Sequence, residues 1–303
     1  MPSRRIVTSI AVRTGSCRER VRDCRQGHAL ADLPLWAQFR LGLQNSATID
    51  RDVDNALALT SSYLRLLADR GVAVNGARIL ELGPGRDFAP QLALAGLGAR
   101  VTVADRFLAN WDRAYHGELY RRFKARWEGP SEALDAVIAG EGYPPTVITC
   151  VAQPAEELVG VADESCDVVL SNAVLEHVYD LPRVWRALAR VTRPGGLGIH
   201  QIDFRDHWNF DRPLEFLLHE AAGRQLRVSR GRVGRGNRHR LSDHMICLAD
   251  AGFQIEQVET NMRVAPEYFG AFLPRLRASS SPYRHRDLDD LSALAARIIA
   301  RRG

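Results

Sequence analysis

The sequence predicts an α/β fold: a doubly wound, mostly parallel sheet of seven strands that carries helical insertions. Two observations predict it. Residues 77–88, Ala-Arg-Ile-Leu-Glu-Leu-Gly-Pro-Gly-Arg-Asp-Phe, run a short apolar segment into a tight turn at Gly83 and Gly85. Glycine has no Cβ, so the chain can turn sharply there and a ligand can press against the backbone. One strand–helix–strand spacing later, Val101 to Ala104 leads into Asp105, where a carboxylate can accept hydrogen bonds from both hydroxyls of a ribose.

The other elements follow in order. Val53, Ala56, Leu57, Leu64 and Leu67 share one face of a helix over 53–70, with Gly71 as its stop. Strands follow at 78–82 and 100–104, with a helix near 88–95 between them. An insertion, 108–145, separates the second strand from a third at 146–151, where a crossover needs only about a dozen residues. Its aromatics (Trp111, Tyr115, His116, Tyr120, Phe123, Trp127) sit at near-helical spacing. They either line an acceptor pocket beneath a lid or pack the insertion onto the body. The fourth strand is 167–170, and a helix is expected from near Ala173. Asp180 is a helix N-cap with Pro182 in the first turn, and Val184, Leu188 and Val191 face the sheet. Pro194-Gly195-Gly196 closes that helix before a fifth strand at 197–204. A second insertion, 205–240, precedes a helix at 243–251, a strand at 254–259 and a last strand in 291–301.

The nucleoside is the next question. A dinucleotide fingerprint, Gly-x-Gly-x-x-Gly, would put its third glycine at Phe88. Lys124 is the only lysine, so there is no phosphate-loop Gly-Lys-Ser/Thr. Glu81, two residues before Gly83, suits a cationic ligand better than a pyrophosphate. These blocks resemble the class I S-adenosylmethionine-dependent methyltransferases. Glu81-Leu-Gly-Pro-Gly85 resembles their first motif, and Asp105 the acidic end of their second strand. Residues 165–178 (Ser-Cys-Asp-Val-Val-Leu-Ser-Asn-Ala-Val-Leu-Glu-His-Val) and 188–196 (Leu-Ala-Arg-Val-Thr-Arg-Pro-Gly-Gly) agree in order and spacing.

The resemblance implies a Rossmann-like fold and S-adenosylmethionine as cofactor. It implies that Gly83 and Gly85 meet the methionine part, that Glu81 helps hold the amino group and that Asp105 takes the ribose. By the same carry-over Arg106 lies beside the adenine, the Ala155 backbone serves the adenine, and Asn172 stands where the transferred methyl sits. Pro154 departs from the Asp that relatives often carry before Ala155. His177 borders the site in relatives. His200, Asp203, Asp206 and His207 cluster at the end of the fifth strand, on the side where ligands bind in this architecture. His207, oriented by an Asp, can deprotonate a hydroxyl. The expected catalytic residues are therefore His177, Asp203 and His207. A metal held by the fifth-strand residues has no second feature behind it, and none is assigned.

Charge and composition bound the partners. The first 48 residues hold eight arginines against three acids, and the rest holds 33 basic and 33 acidic residues. A neutral body argues against a broad nucleic-acid surface. Residues 1–50 read as a basic, partly irregular arm and 51–303 as the methyltransferase domain. Arg224, Arg227, Arg230, Arg232, Arg235, Arg238 and Arg240 lie in an acid-free stretch that would clamp an anionic acceptor or form an exposed loop. Five scattered cysteines contain no C-x-x-C pair, which fits reduced thiols and a cytoplasmic protein. No apolar run reaches membrane-spanning length. The expected reaction is methyl transfer to a small-molecule or glycan-type acceptor, at oxygen. An RNA methyltransferase and a non-catalytic cofactor-binding module are the alternatives.

Overall fold

A computed structural model describes residues 46–219 and 236–303. The basic arm up to residue 45, and the arginines from Arg224 to Arg235, lie outside the described residues. The first helix, α1 (Ser46–Ala68), begins before the expected domain boundary at 50, so that boundary falls inside a helix. The chain continues through β1 (Arg78–Leu82), α2 (Ala89–Gly96), β2 (Arg100–Ala104), α3 (Arg113–Arg126), α4 (Glu132–Gly140), β3 (Ile148–Val151) and β4 (Cys166–Asn172). It then forms α5 (Leu181–Val191), β5 (Thr192–Asp203), α6 (Leu241–Asp250), β6 (Phe253–Arg263), α7 (Pro266–Arg277), α8 (Leu288–Ser292) and β7 (Ala293–Arg302).

The seven strands form one sheet in the order β3-β2-β1-β4-β5-β7-β6. β1 to β5 pair in parallel, and β7 runs antiparallel to both β5 and β6. Strand order reverses between β1 and β4, so the carboxyl ends of these two strands open a crevice. Alternation places Ile79, Val101, Val168 and Leu170 on one face, against α1 to α4. Leu80, Leu82 and Val169 face the other way, against α5 and α6. The α5 cap is as expected: the Asp180 side chain accepts from the Arg183 N–H.

Three expectations change. The helix expected from Ala173 is only a 3-10 turn, Leu175–His177, because Ala173 takes φ +56° and the chain soon meets Asp180 and Pro182. The aromatics of the first insertion take the packing role. Tyr115, Tyr120 and Phe123 are buried in α3 and join the core beside α2. A helix, α7, also occupies a stretch with no expected element; with Leu214, Phe216 and Leu217 it forms a small separate apolar cluster.

Candidate active site

The site starts with two glycines after β1. Gly83 has φ +57° and Gly85 φ +81°, both in the left-handed region. A Cβ on Gly83 would lie 2.5 Å from Val174 Cγ2, so the turn packs tightly on the segment that follows β4. A Cβ on Gly85 would meet nothing within 4 Å. The turn therefore offers bare backbone to open space. Its anchors come from several elements. The Gly83 N–H donates to the Ala104 carbonyl at 2.8 Å. His116 in α3 accepts from the Asp112 N–H through Nδ1 (2.8 Å), so its proton sits on Nε2 and donates to the Arg86 carbonyl (2.9 Å). Burial lowers the affinity of that ring for a second proton. The Phe88 N–H donates to the Tyr120 hydroxyl at 3.1 Å.

Asp105 stands just past β2, as expected. Its Oδ1 accepts from the Phe107 N–H at 2.7 Å, which fixes the carboxylate at the strand end. Across from it, Glu156 accepts from the Tyr179 N–H (2.9 Å) and faces Arg106 at 3.9 Å, and the Arg106 guanidinium lies 5.5 Å from the Tyr179 ring centre. Ala155, next to Glu156, is half-buried on this shoulder.

Glu81 differs from its expected role. It is 2% exposed, with one oxygen held by the Tyr63 hydroxyl (2.8 Å) and the other by the Gln91 amide. Burial pushes it up to about 7, against the pull of those two hydrogen bonds. Both oxygens are already engaged, so Glu81 joins α1 and α2 to β1 beneath the turn. The carboxylates that face open space are Asp52 and Asp87. With Asn55, Leu59, Pro84 and Asn172 they line a cavity of about 350 Å³ between α1 and the glycine turn. Burial, reinforced by the charge of Asp52, pushes Asp87 up to about 6. The sequence signal for this wall was present only as α1 itself, whose polar face had no assigned partner.

A second group lies past β4 and β5. His177 and His207 meet edge to face, with ring centres 4.8 Å apart. His207 Nε2 is 3.6 Å from Asp203 Oδ2, and Arg205 grips Asp203 at 2.6 Å. Burial would raise the Asp203 carboxyl, but His207 and Arg205 outweigh it and hold it well below the usual range. All three expected catalytic residues thus come together. Glu176, missing from that expected set, joins them at 2% exposure, pushed up to about 8 by burial. His200 and Asp206 do not join. His200 points to the opposite face, where Trp185 covers it and its Nδ1 meets the Ser171 hydroxyl at 2.8 Å. Burial pushes it down to about 3. Asp206 shapes its own loop, accepting from the Trp208 N–H at 3.0 Å.

The two described arginines of the 221–240 stretch are structural. Arg240 is wholly buried and donates to the carbonyls of Phe204, Asp290, Leu291 and Ala293. Arg238 donates to the His219 carbonyl at 2.6 Å.

Known proteins match part of this chain. A methyltransferase domain family matches residues 80–199. An uncharacterized methyltransferase of Mycobacterium ulcerans is 32% identical over 137 residues, which cover 44% of this chain and 42% of that protein. One from Mycobacterium marinum matches to the same extent. The match thus spans less than half the length of either relative. A solved S-adenosylmethionine-dependent methyltransferase from Mesorhizobium loti is 20% identical, with a TM-score of 0.44 over 76% of this chain and 93% of that one. Among the described residues, no helix is long and apolar enough to cross a membrane. Residues 80–199, held in the seven-stranded sheet, match a methyltransferase domain family.

Proposed function

We propose that the chain transfers a methyl group from S-adenosylmethionine to a hydroxyl oxygen of a small-molecule or glycan-type acceptor. The observation that carries the cofactor half is the open, left-handed Gly85 beside the anchored carboxylate of Asp105. The residues present fit the group. Bare backbone at Gly83 and Gly85 faces its methionine end, and Asp105 accepts from its ribose hydroxyls. Arg106 and the Ala155 backbone border the adenine. Asp52 and Asp87 put negative charge in the cavity wall, which suits a cationic ligand. When bound, the cofactor supplies an electrophilic methyl group whose leaving group is a neutral thioether.

The remaining work falls to the protein's own side chains: alignment, exclusion of water and removal of a proton. Asn172 lies where β4 ends and lines the cavity, so it borders the transferred methyl. His207, oriented by Asp203 and packed on His177, receives the acceptor proton. This grouping of imidazoles and a carboxylate supports oxygen as the target. The neutral charge of the chain beyond residue 48 supports a small acceptor over RNA.

The test is calorimetric titration with S-adenosylhomocysteine. Asp105→Ala should weaken binding by at least about tenfold, the loss of two charge-assisted hydrogen bonds. Unchanged affinity in that variant would remove the proposed cofactor site.

A further inference from the structure

Glu176 has no part in the reaction proposed above, yet its setting needs an explanation. The 3-10 turn after β4 carries Glu176 and His177 toward the loop that follows β5. There, single ligand-type atoms of Glu176, His177 and His207 all lie within 4.8 Å of one another. Glu176 is 2% exposed, and neither of its side-chain oxygens has a hydrogen-bond partner. Arg205 directs its guanidinium to both oxygens of Asp203. A buried carboxylate with no partner is costly, and a bound cation removes that cost.

We propose that Glu176, His177 and His207 form a binding site for a divalent transition-metal ion that also coordinates the acceptor. Two imidazoles and a carboxylate suit ions such as Zn²⁺, Co²⁺ or Mn²⁺ better than Mg²⁺ or Ca²⁺, which favour oxygen ligands. Ligand atoms about 2.1 Å from one ion sit about 3–3.5 Å apart, so the three side chains draw in by about an ångström on binding. Asp203 lies against His207 at 3.6 Å, as carboxylates do that orient metal-binding histidines. Three protein ligands leave positions open for a substrate oxygen. An acceptor hydroxyl with a second oxygen beside it, as in a diol or a hydroxy acid, would chelate the ion.

The segment that leads into the turn borders the cavity. Val174, which precedes the turn, is the residue that packs on Gly83, and Asn172 lines the cavity wall. The catalytic consequence rests on the oxygen-acceptor reading and alters one assignment in it: His207 becomes a ligand. A hydroxyl on a divalent ion is more acidic than a free one. Its O–H bond breaks and the proton passes to water. The oxygen then forms the bond to the methyl carbon as the carbon–sulfur bond breaks, and that electron pair stays on sulfur.

The experiment titrates the full chain with Co²⁺, read by visible absorption, and then with Zn²⁺ to displace it. One equivalent of Co²⁺ should bind and be displaced by Zn²⁺. Glu176→Gln and His207→Asn should each weaken Co²⁺ binding by at least about tenfold, with S-adenosylhomocysteine affinity kept as the check on folding. No absorption from the wild type and no heat with Zn²⁺ would overturn the proposal. So would one-equivalent binding that survives both substitutions, since the ion would then lie elsewhere. Failure of the methyltransferase reading looks different: S-adenosylhomocysteine would not bind, whatever Co²⁺ does.

Discussion

Gly83 and Gly85 share a backbone conformation but differ in what a side chain there would meet. Gly83 and Gly85 both have positive φ, so a side chain at either costs about 1–2 kcal/mol in backbone strain. At Gly83 the added methyl also strikes Val174, 2.5 Å away. At Gly85 it projects into open space. Gly83→Ala should therefore lower the melting temperature clearly more than Gly85→Ala does. Gly85→Ala should lose at least about tenfold in S-adenosylhomocysteine affinity, because the methyl takes the ligand's place. Thermal unfolding and calorimetry on the two variants check this. Normal affinity in Gly85→Ala would mean that the turn does not cradle the cofactor. Glu81 teaches the same lesson from the other side. Its position in the motif suggests a ligand contact, but Tyr63 and Gln91 hold both oxygens.

At the scale of elements, the first insertion acts as a buttress. α3 reaches the glycine turn three times: His116 to the Arg86 carbonyl, Tyr120 to the Phe88 N–H, and the Tyr115 ring 3.6 Å from the Arg86 guanidinium. Tyr115 also donates to Asp52 at 2.8 Å, which joins α3 to the cavity wall on α1. His116→Ala removes both ring hydrogen bonds and leaves the Asp112 N–H and Arg86 carbonyl without them. We expect a loss of about 1–3 kcal/mol in stability. Affinity for S-adenosylhomocysteine should also fall, although His116 does not line the cavity. Unchanged affinity would reduce the insertion to packing alone. At the opposite corner, Arg240 ties the chain entering α6 to the end of β5 and the start of β7 through four backbone carbonyls.

Across the whole molecule, one carboxylate ties three neighbouring strands at their amino-terminal ends, away from the site. Asp167 in β4 accepts from the N–H and guanidinium of Arg78 in β1 and from Arg193 in β5. The hydrogen bonds from Arg78 are the largest of the effects that hold its carboxyl well below the usual range. The folded state therefore binds this proton less readily than the unfolded chain, so stability from Asp167 is present above the ordinary value of 3.8. It is lost as pH falls through the depressed folded value. Asp167→Asn should cost about 1–2 kcal/mol at neutral pH, discounted for partial exposure. Denaturant unfolding should show the gap to wild type closing below about pH 4. A gap that stays constant with pH would mean that the charge of Asp167 contributes nothing.

Local periodicities and turn chemistry were legible in the chain before any fold was known. β1, β2 and the Asp180 cap sit within a residue or so of their expected places, because apolar alternation, a capping side chain and glycine turns act over a few residues. His177 was legible as a candidate through the family resemblance, and Asp203 and His207 because strand ends are where ligands bind in this architecture. Tertiary structure decided the rest. Strand alternation and sheet pairing turned His200 away from its neighbours and under Trp185. Contacts across distant segments brought Glu176 to His207, Tyr63 to Glu81, and Asp52 to the glycine turn. No local pattern encodes such meetings: burial and register set them, and both belong to the assembled sheet.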